Sequence, residues 1–191
     1  MNYSIFHPTK NVICNIDLPA SKSISNRLLI IKALCEDKFS INNLSECEDT
    51  TNLIRALKHK KQVIDVDAAG TSFRFLTSYL AIQEGKEYIL TGSERMKERP
   101  IKFLVDALRE IGAEIEYLEE EGFPPIKIKG KEILGGNIKI DASVSSQFIS
   151  SILLIAPKLK NGITLQHSTK IVSKSYINMT LKLMSEYGIS Y

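Results

Sequence analysis

The sequence predicts an α/β fold built from repeated β-α-β-α-β-β units, and three observations lead to that prediction. Three segments each begin with small polar residues and continue as a helix with apolar periodicity. Each segment then passes through a strand and enters a second helix. The second and third segments also match at a nearly constant spacing. Phe73 pairs with Phe148 and Gly112 with Gly188, and such a period indicates an internal repeat.

The first repeat begins near Ser21 with the helix SKSISNRLLIIKAL, followed by the strand FSINNL and the helix DTTNLIRALKH. The second begins near Ala69 with the helix AGTSFRFLTSYLA, followed by the strand EYILTG. A helix that starts at RPIKFLV and ends before the C′ glycine Gly112 completes this part of the repeat. A hairpin around residues 122–125 is expected after it.

The third repeat begins near Val144 with VSSQFISSILLIA, passes through the strand GITLQHS and enters the helix SYINMTLKLMSEYG. Gly188 is expected to end this helix as Gly112 ends its counterpart. The sequence stops at Tyr191, where the equivalent strand would begin. We therefore interpret the chain as a fragment of a longer protein.

The composition is that of an ordinary globular protein, with 43% hydrophobic and 25% charged residues among 191. A net charge of +3, without a long basic run interleaved with aromatic residues, argues against a nucleic-acid binder. The three cysteines and three histidines are scattered, so neither a disulfide framework nor a zinc site is expected. Neither a signal peptide nor a membrane span is predicted, and the expected location is the cytoplasm.

Hydrogen-bond donors cluster at the predicted helix starts. The first N–H groups of a helix lack intrahelical partners and carry the positive end of the helix dipole, which favours phosphate or carboxylate. In the first repeat, Ser21 or Ser23 can cap the helix. Lys22 supplies a flexible charge, and Arg27 shares a helix face with Ser23. Each residue alone is equally well explained as a cap or a surface charge, so only the combination points to a ligand.

The other two repeats show the same arrangement. In the second, Gly70 allows a backbone to approach a ligand closely, and Arg74 lies one turn into the helix. In the third, two hydroxyls and an amide open the helix, from Ser145, Ser146 and Gln147. The three helix starts can therefore converge on one anionic ligand.

Two further clusters carry groups suited to an anion. Arg95, Lys97 and Arg99 precede a helix with proline at its expected first position, and together they can bind a carboxylate and a phosphate. Ser173 can cap the last helix, whose apolar face begins at Tyr176. From the residues alone, the prediction is an α/β repeat protein with many anion-binding groups at its helix starts, and no substrate is specified.

The segments SKSISNR, AGTSFR, ERMKERPI, SVSSQF and VSKSY, in this order and spacing, resemble the 5-enolpyruvylshikimate-3-phosphate synthase family. The resemblance runs from about Leu18 to Tyr191 and covers roughly the N-terminal half of the family's usual length. It implies an inside-out α/β barrel of such repeats, here incomplete. The implied reaction transfers the enolpyruvyl group of phosphoenolpyruvate to the 5-hydroxyl of shikimate 3-phosphate, through a tetrahedral ketal, and releases phosphate. This step belongs to chorismate and aromatic amino acid biosynthesis.

The resemblance also implies a domain organisation. Residues 1–18 would be a strand that crosses into a second, mostly absent domain. Residues 19–191 would be a substrate-binding domain of three repeats, the third truncated. The absent half would supply the acid and base carboxylates, so we expect no turnover by this chain alone. The resemblance implies no metal or organic cofactor, no nucleic-acid or membrane partner, and a monomeric full-length enzyme.

Roles for single residues follow from the same resemblance. Lys22 corresponds to a residue that contacts phosphoenolpyruvate and is a candidate proton donor. Contacts with phosphoenolpyruvate are also implied for Gly70, Arg99 and Gln147. The residues that correspond to shikimate 3-phosphate ligands are Lys22, Ser23, Arg27, Ser145, Ser146, Gln147, Ser173 and Tyr176. Both substrates carry several negative charges, and fixed cationic donors would hold them together against their repulsion.

The chain departs from the family pattern at Ala68, where asparagine is common, and at Phe75 and Ser175, where proline is common. These changes affect the expected shape of the phosphoenolpyruvate pocket and leave glyphosate sensitivity open. Two alternatives remain. One is the sister transferase that uses UDP-N-acetylglucosamine, which typically carries a reactive cysteine where residues 92–98 have none. The other is a non-catalytic anion-binding or assembly module that kept the repeats.

Overall fold

The structure, a computed structural model, describes residues 3–11, 13–37, 39–58, 61–140, 145–167 and 172–191. Its helices are α1 (Lys22–Leu34), α2 (Glu48–Lys58), α3 (Gly70–Ala81), α4 (Glu94–Lys97), α5 (Lys102–Glu110), α6 (Ser146–Ile155) and α7 (Lys174–Glu186). Its strands are β1 (Val63–Asp65), β2 (Glu87–Thr91), β3 (Glu114–Tyr117), β4 (Ile126–Lys129), β5 (Gly136–Ile140) and β6 (Ile163–His167). The α/β class predicted from the sequence is therefore confirmed.

Two sheets contain the strands of the second and third repeats. One sheet has the order β1-β2-β4-β3, in which β1 and β2 are parallel and the other pairs are antiparallel. The other sheet pairs β5 with β6 in parallel. Helix α3 connects β1 to β2, and helix α6 connects β5 to β6. The second and third repeats thus share a strand-helix-strand unit, and the hairpin predicted around residues 122–125 joins β3 to β4.

The helices that open the three repeats lie together in the core. Helices α1, α3 and α6 contact one another, and α7 packs against both α1 and α6. Almost every residue of α3 is buried, including Phe73 and Phe75, as expected for a helix surrounded by other elements. Because these helices pack side by side at the centre, their N-termini lie close together.

The glycines predicted to end helices do so in both repeats. Gly112 and Gly188 have φ values of 104° and 78°. After α5, the N–H of Gly112 donates to Arg109 and that of Ala113 donates to Leu108. After α7, Gly188 and Ile189 donate to the equivalent carbonyls. Both ends are Schellman motifs, a left-handed turn that glycine adopts without a steric cost. The paired glycines are therefore confirmed as equivalent positions.

Two expectations for local structure are wrong. Residues 39–44, predicted as the strand FSINNL, form no strand, because they pair with no neighbouring strand in the described part of the chain, and Asn43 adopts a left-handed φ of 56°. Ile41 and Leu44 nevertheless pack against the core. The helix expected to begin at Pro100 begins at Lys102, with Ile101 as its N-cap. Arg95 and Lys97 lie in the short helix α4 that precedes α5.

The N-terminal segment makes little contact with this body. Residues 3–11 and 13–20 contain neither helix nor strand, and their large apolar side chains are exposed. The assignment of residues 1–18 to a second domain stays a prediction, and Met1, Asn2 and Val12 lie outside the described residues, as does Val144 at the third helix start. Within the described ranges, no helix is long and apolar enough to cross a membrane.

Replacing Gly112 by alanine tests the shared helix ending. We expect Gly112→Ala to lower the free energy of unfolding by about 1–2 kcal/mol, because a Cβ is disfavoured at a left-handed φ. Urea denaturation followed by circular dichroism measures the change. Glu186→Ala, an exposed position in the last turn of α7, is the control and should stay within about 0.5 kcal/mol of the parent. Equal stability of Gly112→Ala and the parent would contradict the motif.

Candidate anion-binding site

The N-termini of α1, α6 and α7 open onto one cleft of about 360 Å³, which we call the large cleft. The residues lining it are Lys22, Ser23, Arg27, Thr71, Ser145, Ser146, Gln147, Val172, Ser173 and Tyr176. All eight residues that the sequence indicated for shikimate 3-phosphate are in this set. Helix starts from separate repeats therefore meet at a single cleft, where their free N–H groups and positive dipole ends favour an anion.

Serine caps hold two of these helix starts in place. Ser21 Oγ accepts a hydrogen bond from the Ile24 N–H at 3.4 Å. Ser145 Oγ accepts one from the Gln147 N–H at 3.2 Å. Ser173 occupies the N-cap of α7 as predicted, but its side chain makes no capping bond and its φ is 57°. The Ser173 hydroxyl is thus not engaged by its own helix.

The motif SKSISNR divides between residues that line the large cleft and residues that are buried in the fold. Lys22 and Ser23 line the large cleft, whereas Ser25 and Asn26 are buried. Ser25 Oγ accepts a hydrogen bond from the backbone of Ser45 at 2.9 Å, and Asn26 Oδ1 accepts one from the Thr50 hydroxyl at 2.7 Å. The second half of the motif therefore fastens α1 to the start of α2.

Arg27 lies at the inner wall of the large cleft and is only 2% exposed. Its Nε donates to Thr180 Oγ1 at 2.6 Å, and its Nη2 donates to Ser150 Oγ at 3.0 Å. The guanidinium also lies 5.4 Å from the ring centre of Phe75 and 6.0 Å from that of Tyr176. Burial lowers the pKa of Arg27 to about 10, so the side chain remains protonated at neutral pH.

A second cleft of about 210 Å³, the small cleft, adjoins the first at Lys22. Its lining residues are Lys22, Cys47, Glu48, Asp49, Ala68 and Ala69. Lys22 Nζ lies 3.0 Å from Asp49 Oδ2. Asp49 in turn accepts hydrogen bonds from the Ser72 hydroxyl, at 2.6 Å on its backbone oxygen and 3.3 Å on Oδ1. A lysine shared by two clefts can contact two ligands at once.

The backbone of Gly70 lies against the guanidinium of Arg99. A Cβ at position 70 would overlap Nη1, Cζ and Nη2 of Arg99. The neighbouring Ala69 lines the small cleft. Neither Gly70 nor Arg99 lines either cleft, but Gly70 follows Ala69 in the chain, and only glycine permits this approach of the Arg99 guanidinium.

Arg74 has a structural position despite its place in a candidate motif. It is 5% exposed, and its guanidinium donates to the backbone oxygens of Gly70 at 2.9 Å and Pro100 at 3.3 Å. Burial and then the nearby charge of Arg99 lower the pKa of Arg74 to about 10. Arg74 thus fixes the start of α3 relative to the turn that carries Arg99.

The remaining basic residues of the ERMKERPI cluster do not reach either cleft. Arg95 is exposed, and Lys97 pairs with Glu94 at 3.4 Å and with Glu119 at 3.3 Å. Arg99 lies against Gly70, and the expectation that Arg95, Lys97 and Arg99 together bind a carboxylate and a phosphate stays a prediction.

Asp49 is the site residue that the sequence did not reveal. It lies in the first turn of α2, where acidic residues are common, so its type carries no signal. Its partner Lys22 is distant in the sequence, and only the packing of α1 against α2 brings them together. Among the residues that the structure describes, no group of three His, Cys, Asp or Glu side chains can hold a metal ion.

Repeated strand-helix units with a cationic cleft at their helix starts define an α/β protein whose cleft favours small anionic molecules. The family model for EPSP synthase (3-phosphoshikimate 1-carboxyvinyltransferase) matches residues 6–61 and 57–190. The chain belongs to this family.

Curated relatives agree with this assignment, and solved structures share the fold of the chain. A 3-phosphoshikimate 1-carboxyvinyltransferase of Bacteroides fragilis is 51% identical over 190 residues, covering 100% of this chain and 46% of that protein. One from a Sulfurovum species is 40% identical, covering 99% and 50%. An EPSP synthase structure from Acinetobacter baumannii superposes with a TM-score of 0.77 at 21% identity, over 92% of this chain and 44% of that one. The chain spans about half the length of the curated relatives it matches.

Neutralising Asp49 tests the charge balance of the small cleft. We expect Asp49→Asn to bind inorganic phosphate about fivefold more tightly at low ionic strength, because a nearby negative charge that opposes the anion is removed. Phosphate-dependent thermal shifts at constant ionic strength measure the affinity. Asp37→Asn makes the same charge change at an exposed position beyond the far end of α1, about 20 Å away, and should leave it unchanged. Weaker phosphate binding by Asp49→Asn would mean that Asp49 positions Lys22 for the anion.

Proposed function

We propose that this chain forms the shikimate 3-phosphate-binding part of a 3-phosphoshikimate 1-carboxyvinyltransferase. The whole protein would transfer the enolpyruvyl group of phosphoenolpyruvate to the 5-hydroxyl of shikimate 3-phosphate and release phosphate. The observation that carries the proposal is the large cleft, in which helix starts from different repeats meet. Family membership supplies the reaction.

The large cleft suits a ligand that carries both a phosphate and a carboxylate. Ser145, Ser146 and Ser173 offer hydroxyls at the N-termini of α6 and α7, where the helix dipoles favour a phosphate. Arg27 and Ser23 lie on α1 and are proposed for the other end of shikimate 3-phosphate. Lys22, Gln147 and Tyr176 complete the proposed set.

The small cleft and its border suit phosphoenolpyruvate. Arg99 would bind it through the guanidinium that lies over Gly70, since an arginine fork matches a carboxylate or phosphate. Lys22 lies between the clefts and would contact both substrates, which is the position that a proton donor to the reacting carbon requires. Gln147 is proposed to reach both substrates from the large cleft.

The finer architecture is also part of the proposal. Residues 19–191 would be a domain of an inside-out α/β barrel, and residues 1–18 a strand that crosses to a second domain. That domain would supply the acid and base carboxylates of a monomeric cytoplasmic enzyme that needs no cofactor. The fold similarity to an Acinetobacter baumannii EPSP synthase and the coverage of about half of the relatives support this arrangement.

Calorimetric titration with shikimate 3-phosphate tests the ligand of the large cleft. We expect binding that the Ser145→Ala/Ser146→Ala double variant weakens at least about tenfold, because two hydroxyl donors to a charged group are lost. Ser175→Ala, an exposed position on α7 that does not line the cleft, is the matched control and should bind normally. Inorganic phosphate and UDP-N-acetylglucosamine should bind more weakly. No binding by a chain that circular dichroism shows to be folded would contradict the proposed ligand.

A second titration tests the phosphoenolpyruvate side, with the chain first saturated with shikimate 3-phosphate. Arg99→Ala should weaken phosphoenolpyruvate binding at least about tenfold, because a charge-assisted hydrogen-bonding fork is removed. Gly70→Ala should do the same, since its methyl group displaces the Arg99 guanidinium. Arg95→Ala, four residues earlier and exposed, should have no effect. Equal affinities for the Arg99→Ala and Arg95→Ala variants would rule out this role.

A further inference from the structure

The hydrogen bonds of Arg27 leave little of its guanidinium available to a ligand. Besides the bonds to Thr180 and Ser150, Nη1 donates to the backbone oxygen of Ser23 at 2.8 Å and Nη2 donates to that of Tyr176 at 3.2 Å. A guanidinium has five N–H groups. Four of them therefore have acceptors among the described residues, and one on Nη1 remains for the large cleft.

A single free N–H cannot make the paired bonds by which arginine usually binds a carboxylate. The direction of this free N–H is fixed by the hydrogen bonds of Nε and Nη2, because all the nitrogens of Arg27 lie in one planar guanidinium. Nε and Nη2 point to hydroxyls on α7 and α6, and the Phe75 and Tyr176 rings lie near the guanidinium. The position of the remaining donor thus depends in part on Thr180, Ser150 and Phe75, which do not line the cleft.

Thr180 occupies the central position among these residues. It is fully buried, and its hydroxyl accepts from Arg27 Nε at 2.6 Å. The same oxygen lies 3.0 Å from Ser150 Oγ and 3.0 Å from the Tyr176 carbonyl oxygen, and its one proton can be donated to either. Thr180 is therefore one hydroxyl acceptor of Arg27, and it contacts the other, Ser150. It also links both to Tyr176 on α7.

We propose that Thr180, acting with Ser150, is a positioning residue that directs the remaining N–H of Arg27 toward an anionic oxygen of the ligand in the large cleft. The inference rests on the proposed function for the identity of that ligand. Under this proposal Arg27 gives the ligand one directed hydrogen bond. The affinity for the ligand then depends on the Thr180 hydroxyl, which does not contact the ligand.

The test compares Thr180→Val and Thr180→Ser in calorimetric titrations with shikimate 3-phosphate. Valine keeps the shape and removes the acceptor for Nε, so we expect an affinity about tenfold lower, as for loss of a hydrogen bond to a charged group. Serine restores the hydroxyl and should restore the affinity to within about twofold. Thr77→Val is the matched control, because Thr77 is also fully buried and its hydroxyl donates only to the Phe73 carbonyl of its own helix.

A spectroscopic measurement separates positioning from stability. The Nε–H resonance of Arg27, assigned by its loss in Arg27→Lys, should shift in Thr180→Val and stay in place in Thr180→Ser and Thr77→Val. Thermal unfolding of all variants shows whether the two valine variants are equally destabilised.

The outcomes distinguish this inference from the function on which it rests. If the parent chain binds shikimate 3-phosphate and Thr180→Val binds it as tightly as Thr77→Val does, the positioning role is wrong and the proposed function stands. Failure of Thr180→Ser to restore both affinity and resonance would also overturn the positioning role. If the parent chain does not bind shikimate 3-phosphate, both the proposed function and the inference are contradicted.

Discussion

The buried guanidinium of Arg27 is the interaction on which the rest of the site depends. It donates to groups on α6 and α7 from its place on α1, and so it links helices from the first and third repeats. No carboxylate among the described residues lies within ion-pair distance of it. The lowered pKa corresponds to roughly 3 kcal/mol of unfavourable desolvation, which neutral hydrogen bonds and two aromatic rings offset in part. A buried cation without a carboxylate partner favours an anion in the cleft beside it.

Arg74 repeats this arrangement at the start of the second repeat. It is buried, it donates to backbone oxygens, and it has no carboxylate partner among the described residues. Arg27 lines the large cleft beside helix N-termini, so this cleft favours an anion more than the net charge of +3 indicates, whereas Arg74 lines neither cleft. Glu48 and Asp49 both line the small cleft, and the position of Asp49 beside Lys22 limits the positive potential there.

Local chemistry made much of the fold predictable from the sequence. Helix starts, the glycines at 112 and 188, and the repeat spacing follow from caps, left-handed turns and periodicity, and the structure has them. The strand predicted at 39–44 failed because a strand needs a partner, which a local pattern cannot supply. The start of α5 was misplaced by two residues for a similar reason, since tertiary contacts decide how a short charged segment folds.

The residues that line the large cleft were more predictable from the sequence than the contacts that each of them makes. Every residue proposed for shikimate 3-phosphate lines the large cleft. The residue types in SKSISNR do not, however, distinguish Lys22, which lines the cleft, from Asn26, which bonds α1 to α2. Asp49 was missed because its only signal is a contact across two helices. A sequence motif gives the residue types, whereas the burial and hydrogen-bond partners of each residue show whether it lines the cleft or stabilises the fold.

The two cations of α1 differ most clearly in how far they can move. Lys22 is 48% exposed and pairs with Asp49 in a partly hydrated ion pair, which contributes at most about 1 kcal/mol. An arriving phosphate can therefore draw Lys22 away from Asp49 at little cost. Arg27 has four hydrogen bonds in the interior and cannot turn without leaving buried acceptors unpaired. Arg27, a fixed cation, is suited to selecting the orientation of one ligand. Lys22, a mobile cation between two clefts, is suited to binding a group whose charge changes during a reaction.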